Sequence, residues 1–197
     1  MGFLSRSYGL TIDHVQGAEV VLADGRIVHA DADTNPDLFW ALRGAGDNMG
    51  IVTSFDIEAT ELSDVIYARF AHEVRDLGTL LQDWGRLTEN SPSELTPFLV
   101  VAGQDGRKNA HTTIIWADDD MDRATKALEA FLNLAPVLDQ QAAIIPYAAF
   151  MAPQSNQQDG HSRPNFHSAS VEHLDERTTD VVSTNLSDHY PLTGHAG

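Results

Sequence analysis

Between Pro36 and Thr53 the sequence PDLFWALRGAGDNMGIVT passes from an apolar helical turn, through a glycine-punctuated loop, into a β-branched strand. Few chain segments declare two elements and their connection so closely. Gly44, Gly46 and Gly50 remove side chains where a backbone must bend or approach something bulky. A loop so poor in side chains, held between a helix and a strand, offers its N–H and C=O groups to a ligand. On spacing alone such a loop is more often a turn. It is neither a P-loop nor a strand-GxGxxG-helix unit, because the glycines follow a helix and fall in the wrong order.

The sequence around this segment supplies its neighbours. Val20–Ala23 and Ile27–Ala30 flank Asp24-Gly25, the pattern of a hairpin. Asn35 precedes Pro36 as an N-cap, with proline at the first helical position. The helix carrying Leu38, Phe39, Trp40 and Leu42 is apolar enough to be mostly buried. Arg43 suits its C-terminal dipole, and Gly44 stands at its C′ position. Ile51–Ile57 alternates, which predicts a strand burying Ile51, Phe55 and Ile57.

Beyond Leu62 a second pattern begins. Val65–Val74 reads as a strand, and Arg75–Thr88 places Leu77, Leu80, Leu81, Trp84 and Leu87 at helical spacing. Phe98–Ala102 and Thr112–Ala117 read as strands joined through residues 103–106. Asp118–Asp120 caps a helix bearing Met121, Ala124, Leu128, Phe131 and Leu132 on one face. Ile144–Met151 is a short apolar stretch, and residues 154–163 read as a polar loop. Phe166–Val171 suits another strand and Asp175–Val182 part of a helix. The class is α+β, with a boundary near Leu62.

Charge and composition exclude several functions. The net charge is −17, with 10 acidic and 3 basic residues up to Leu62 and 19 and 9 after it. Acidity spread this evenly disfavours nucleic-acid backbones and anionic membrane surfaces. There is no cysteine, hence no disulfide or thiolate chemistry. No apolar run approaches the ~18 residues of a membrane span. The first residues lack the pattern of a signal peptide, so the chain reads as soluble with no assigned compartment.

Individual chemical candidates are weak. His161, His167 and His173 fall six apart, without the spacing of a metal site, and His14 and His29 read as structural. Ser5 and Ser54 lie in no nucleophile elbow. Tyr8, Tyr147 and Tyr190 are available phenols whose simplest reading is packing or surface, so no catalytic base is assigned. No metal is expected.

Three blocks in order change the balance: GFLSRSYGLTIDHV, AEVVLADGRIVHA and PDLFWALRGAGDNMGIVTSF. From Gly2 to Phe55 they resemble the berberine-bridge-enzyme-like flavoproteins of the vanillyl-alcohol-oxidase/p-cresol-methylhydroxylase FAD-binding superfamily. The segment Arg75–Thr88, the segment Ser91–Leu95 and the IPYAAF piece are similar, more loosely, to that family's substrate domain. The resemblance implies the C-terminal half of a PCMH-type FAD-binding domain over residues 1–62. Residues 63–197 then form a partial substrate-binding domain of antiparallel sheet with helices.

Gly2 matches the last glycine of the family's GGGxG turn. Gly46, Asn48, Gly50, Ile51 and Val52 match its GGNFGIVT loop, whose backbone lies along the FAD. Asp47 and Met49 stand where the family has glycine and phenylalanine. The implied cofactor is FAD, and the implied reaction is hydride transfer to flavin from a small alcohol, sugar or amine, with oxygen as acceptor. The resemblance also implies a fragment, without the N-terminal FAD subdomain and its histidine tether and without the C-terminal part. Its partners are then a small-molecule substrate and a second chain supplying the missing subdomain. Turnover by the isolated chain is not expected. The alternative is a non-catalytic remnant or binding protein that keeps the substrate-domain fold.

Overall fold

Asp24-Gly25 turns the chain back on itself, with Gly25 at φ +83° and its N–H donating to the Leu22 carbonyl. The Asp24 carboxylate accepts from the Arg26 backbone N–H and side chain, closing the turn from outside. The turn joins β1 (Val15–Val21) to β2 (Ile27–Asp31) in antiparallel register, with Val20 opposite Val28. The structure is a computed structural model that describes residues 2–62, 64–104, 107–118, 120–152 and 170–189. It divides into two compact units, Met1–Glu61 and Leu62–Gly197.

In the first unit a short helix, α1 (Ser5–Tyr8), and a 3-10 turn (Thr11–His14) lead into β1. After β2 comes α2 (Pro36–Leu42), a second 3-10 turn (Gly46–Asn48) and β3 (Ile51–Ile57). The sheet order is β2-β1-β3, all antiparallel. Ala18, Val20, Ala30 and Phe39 are its buried apolar residues.

Three expectations for this unit need correction. Asn35 does not cap α2 through its side chain. It adopts φ +50° and its amide donates instead to the His29 carbonyl, tying the helix start to β2. The helix is not mostly buried: only Phe39 is, and Trp40 is 73% exposed. A seven-residue helix on a three-stranded sheet has one face to bury, and Trp40 lies off it. Ile51, Phe55 and Ile57 do not form the buried face that was predicted: all three are exposed, and an irregularity in the β1–β3 pairing at Thr53 breaks the alternation between Ile51 and Phe55.

The second unit is a four-stranded antiparallel sheet in the order β5-β6-β4-β7. Its strands are β4 (Asp64–Glu73), β5 (Leu95–Gln104), β6 (Arg107–Trp116) and β7 (Val137–Pro146). Period-two alternation sends Ile66, Ala68 and Phe70 of β4 to the same face as Ile114 and Trp116 of β6. Against that face pack α3 (Leu77–Glu89) and α4 (Met121–Leu132), through Trp84, Leu87, Ala124 and Phe131. Met121, expected on the packed face of α4, is exposed.

Both helices start on aspartates. Asp76 accepts from the Thr79 N–H and hydroxyl, and Asp120 from the N–H groups of Asp122 and Arg123. After β7 the chain turns through α5 (Tyr147–Met151), and α6 (Glu176–His189) packs on α3, where Gln82 donates to the Thr179 hydroxyl. The expected polar loop, 154–163, and residues 166–169 of the expected strand after it lie outside the described residues.

Candidate functional site

The connection from α2 to β3 is built from short-range hydrogen bonds. The N–H groups of Gly44 and Ala45 return to the Ala41 carbonyl, and the Met49 N–H returns to that of Gly46. Arg43 closes the helix and lays its guanidinium 4.5 Å from the centre of the Phe39 ring. Gly44 stands at C′ but does not adopt the left-handed conformation.

The three glycines of this loop are glycines for two different reasons. At Gly50, with φ +137°, an added Cβ would sit 2.6 Å from the Val21 carbonyl oxygen and 2.8 Å from Val20 Cγ1. The bulky neighbour there is β1 itself: the bare backbone lets β3 begin directly beside Val21, its partner at Ile51. At Gly44 and Gly46 an added Cβ would meet nothing within 4 Å. Those positions face open space, available to a group from outside the unit.

The residues matched to the flavin loop therefore lie in one continuous stretch. Gly46 and Asn48 form the 3-10 turn, Gly50 leads into the strand, Ile51 is 71% exposed, and Val52 is half-buried. Gly2 lies in a separate turn before α1, where its N–H donates to Ser5 Oγ at 2.9 Å and its carbonyl accepts from the same hydroxyl at 2.7 Å. Ser5 is thus occupied in a local turn. A groove of about 320 Å³ borders the loop, lined by Ile12, Asp13, Trp40, Ala41, Arg43, Gly44 and Ala45. On the sheet side an apolar groove of similar size, about 320 Å³, runs between Phe39, Leu42, Phe55 and Ile57. Bare backbone beside an exposed Ile51 and an exposed indole fits a flat, partly apolar group lying along the loop, as FAD would.

The other candidates are structural in geometry. The His14 Nε2–H donates to the Tyr8 carbonyl at 2.6 Å, and His29 Nε2 lies 3.1 Å from Asp31. His173 contacts Glu89 at 3.2 Å on the surface, and His161, His167 and Tyr190 lie outside the described residues. Tyr147 is half-buried, and burial raises its phenol pKa.

A second surface escaped the sequence reading. Opposite the α3–α4 side of the four-stranded sheet, pairing sets Phe98, Thr113, Arg69 and Gln141 in one row across the strands. The adjoining row is Thr96, Ile115, Tyr67 and Ala143; the next is Val100, His111, Ala71 and Asp139. From the end of β7, α5 folds over part of this face, bringing the Phe150 ring 5.5 Å from Tyr67 and 6.2 Å from Tyr147. The signal was present in β4 as polar residues at every second position, Tyr67 and Arg69, between apolar ones. Without β7 the row could not be assembled.

The fold is a mixed α+β one with antiparallel sheets, and comparison with known proteins finds the same arrangement in flavin-linked oxidases. No family model matches the chain. It is 29% identical over 155 residues to (R)-6-hydroxynicotine oxidase of Paenarthrobacter nicotinovorans, covering 77% of this chain and 34% of that protein. It is 42% identical over 108 residues to glucooligosaccharide oxidase of Sarocladium strictum, covering 51% of this chain and 21% of that one. Among solved structures, xylooligosaccharide oxidase from Myceliophthora thermophila in complex with xylobiose superposes with a TM-score of 0.63 at 27% identity, over 81% of this chain. The fold is also that of 6-hydroxy-D-nicotine oxidase from Arthrobacter nicotinovorans, with a TM-score of 0.72 over 82% of the chain. The relatives and solved structures it resembles are FAD-linked oxidoreductases of the vanillyl-alcohol-oxidase/p-cresol-methylhydroxylase, berberine-bridge-enzyme-like family. The chain spans about a third of the length of these relatives, 34% of the nicotine oxidase and 34% of the xylooligosaccharide oxidase.

Proposed function

We propose that this sequence is part of an FAD-dependent oxidoreductase that takes hydride from a small hydroxylated or amine substrate, with oxygen as the electron acceptor. In this reading residues 1–62 belong to the FAD-binding domain and residues 63–197 to the substrate-binding domain. The resemblance supports the cofactor, since the relatives are FAD-linked oxidases acting on sugars and on nicotine. The observation that carries the reading to this chain is the open space at Gly44 and Gly46 beside exposed Ile51.

In that role Gly46, Asn48, Gly50, Ile51 and Val52 hold their backbone against the cofactor, with Gly2 contributing from its own turn. FAD, when bound, supplies the hydride acceptor. Gly50 positions the loop by fixing the start of β3 against β1. The sheet face bearing Arg69, Thr113 and Tyr67 is the substrate-facing surface: its open polar side chains give hydrogen bonds, and Tyr67 and Phe150 give an aromatic wall. The rest of the FAD cradle comes from outside the 197 residues, in the same polypeptide or in a second chain.

The test is anaerobic. The purified chain with a candidate completing partner is loaded with FAD and mixed with simple sugars, alcohols and amines while the visible flavin band is followed, the chain alone being the control in which no turnover is expected. Bleaching by one substrate class, and recovery on admitting oxygen, is the expected result. A stable apo protein that takes up no flavin under any reconstitution supports a binding protein instead.

A further inference from the structure

Four arginines of this chain sit beside carboxylates, while Arg43 lies over the Phe39 ring. Arg26 pairs with Asp24, Arg75 with Glu73, Arg86 with Asp83, and Arg123 with Glu94 and Asp118. With 29 acidic residues to 12 basic ones, that is the arrangement expected of nearly every exposed cation. Arg69 departs from it. It is exposed at the middle of β4, and among the described residues it makes no ion pair or hydrogen bond with a carboxylate.

Its surroundings are those of a recognition surface. Directly across the strands stand Thr113 and Gln141, a hydroxyl and an amide. Tyr67, two residues away on the same strand, faces the same side and carries the Phe150 ring. Of the other titratable groups on this face, His111 and Asp139 lie one row away, and Glu73 is engaged by Arg75. Asp139 forms no ion pair with Arg69. A guanidinium left without an internal carboxylate keeps its planar fork free for an external one.

We infer that Arg69 is a specificity-determining residue that selects a sugar acid, whose carboxylate it binds while Tyr67 and Phe150 flank the ring and Thr113 and Gln141 meet its hydroxyls. This rests on the reading of the sheet face as the substrate surface and names the substrate class for it. The net charge of −17 repels anions at long range. A preference for an anion therefore has to be made locally, by contact, and Arg69 is the group placed to make it.

The experiment uses the full 197-residue chain without flavin, titrated with glucuronate and separately with glucose while backbone and arginine side-chain resonances are followed by NMR. The expected result is saturable shifts at Arg69, Thr113 and Gln141, with glucuronate binding roughly tenfold tighter than glucose, the scale of one charge-assisted contact. Arg69→Gln should erase that preference, and Arg69→Lys should keep part of it. Equal binding of the two sugars, binding of neither, or a preference that survives Arg69→Gln overturns the inference. Fold integrity of each variant is read from the same spectra. Because flavin takes no part, a chain that discriminates glucuronate but takes up no FAD even with a completing partner contradicts the oxidoreductase reading alone, and the reverse outcome contradicts this one alone.

Discussion

Replacing Gly50 with alanine tests whether the loop is held by the packing seen at its end. The new Cβ would lie 2.6 Å from the Val21 carbonyl oxygen and 2.8 Å from Val20 Cγ1, at a φ of +137° that side-chain-bearing residues rarely adopt. The backbone conformation costs about 1–3 kcal/mol. Relieving the overlap requires β3 to shift away from Val21, an overpacking cost of about 1–3 kcal/mol. Together these reach about 2–6 kcal/mol, against a typical domain stability of about 5–15 kcal/mol. Gly46→Ala is the matched control, since its Cβ meets nothing within 4 Å and the backbone needs no positive φ. Its stability should change by no more than about 0.5 kcal/mol. Urea titration followed through backbone amide resonances of β1 and β3 reads this unit separately from the second one. Gly50→Ala should lower the midpoint of those amides well below that of Gly46→Ala, leaving β4 to β6 unmoved. A Gly50→Ala change within about 0.5 kcal/mol would refute the reasoning.

Other outcomes follow from the same structure. The carboxyl of Asp76 is held below its usual pKa by the Thr79 N–H and hydroxyl, that of Asp31 by the Thr34 and Asp33 N–H groups, and that of Glu94 by Arg123. A pKa depressed in the folded state contributes stability above the unfolded value, near ~4, and loses it as pH falls through the folded value. The urea midpoint should therefore fall as pH drops below about 4, less steeply in Asp76→Asn; a midpoint unchanged to about pH 3 contradicts this. In Gly85→Ala the new Cβ would lie 2.7 Å from Leu174 Cβ. Hydrogen exchange should show α6 released while α3 stays protected, and unchanged α6 protection counts against that packing. Phe131→Ala empties a fully buried position under α4 and should cost about 3–5 kcal/mol in the second unit; a loss below about 1 kcal/mol would show the site can collapse.

Much of the fold was legible because local signals agreed with one another. Asp24-Gly25 marked its hairpin, the Asp118–Asp120 run marked the start of α4, and the leucine spacing of α3 marked its buried face. What failed was burial. Trp40, Ile51, Phe55 and Ile57 carry the pattern of core residues, and a hydrophobic pattern says which face is apolar without saying what covers it. The strand β7 was missed for the opposite reason. Its middle, Asp139-Gln140-Gln141, breaks the apolar run, as an edge strand with one exposed margin permits. Asn35 misled because its side chain found the His29 carbonyl, a partner six residues back that no capping rule considers. At the loop, spacing alone announced glycines with one purpose. The structure separates Gly50, packed against β1, from Gly44 and Gly46, open to the outside.

Whether this open stretch is a flavin surface is tested by mapping FAD onto the purified chain by NMR. Titration should give saturable shifts at Gly46, Asn48, Gly50, Ile51 and Val52, with a weaker response at Gly2. Gly46→Val, which fills open space without disturbing β1, should abolish them while leaving the rest of the spectrum in place. Shifts confined to other parts of the chain, or none at millimolar FAD, would contradict that assignment.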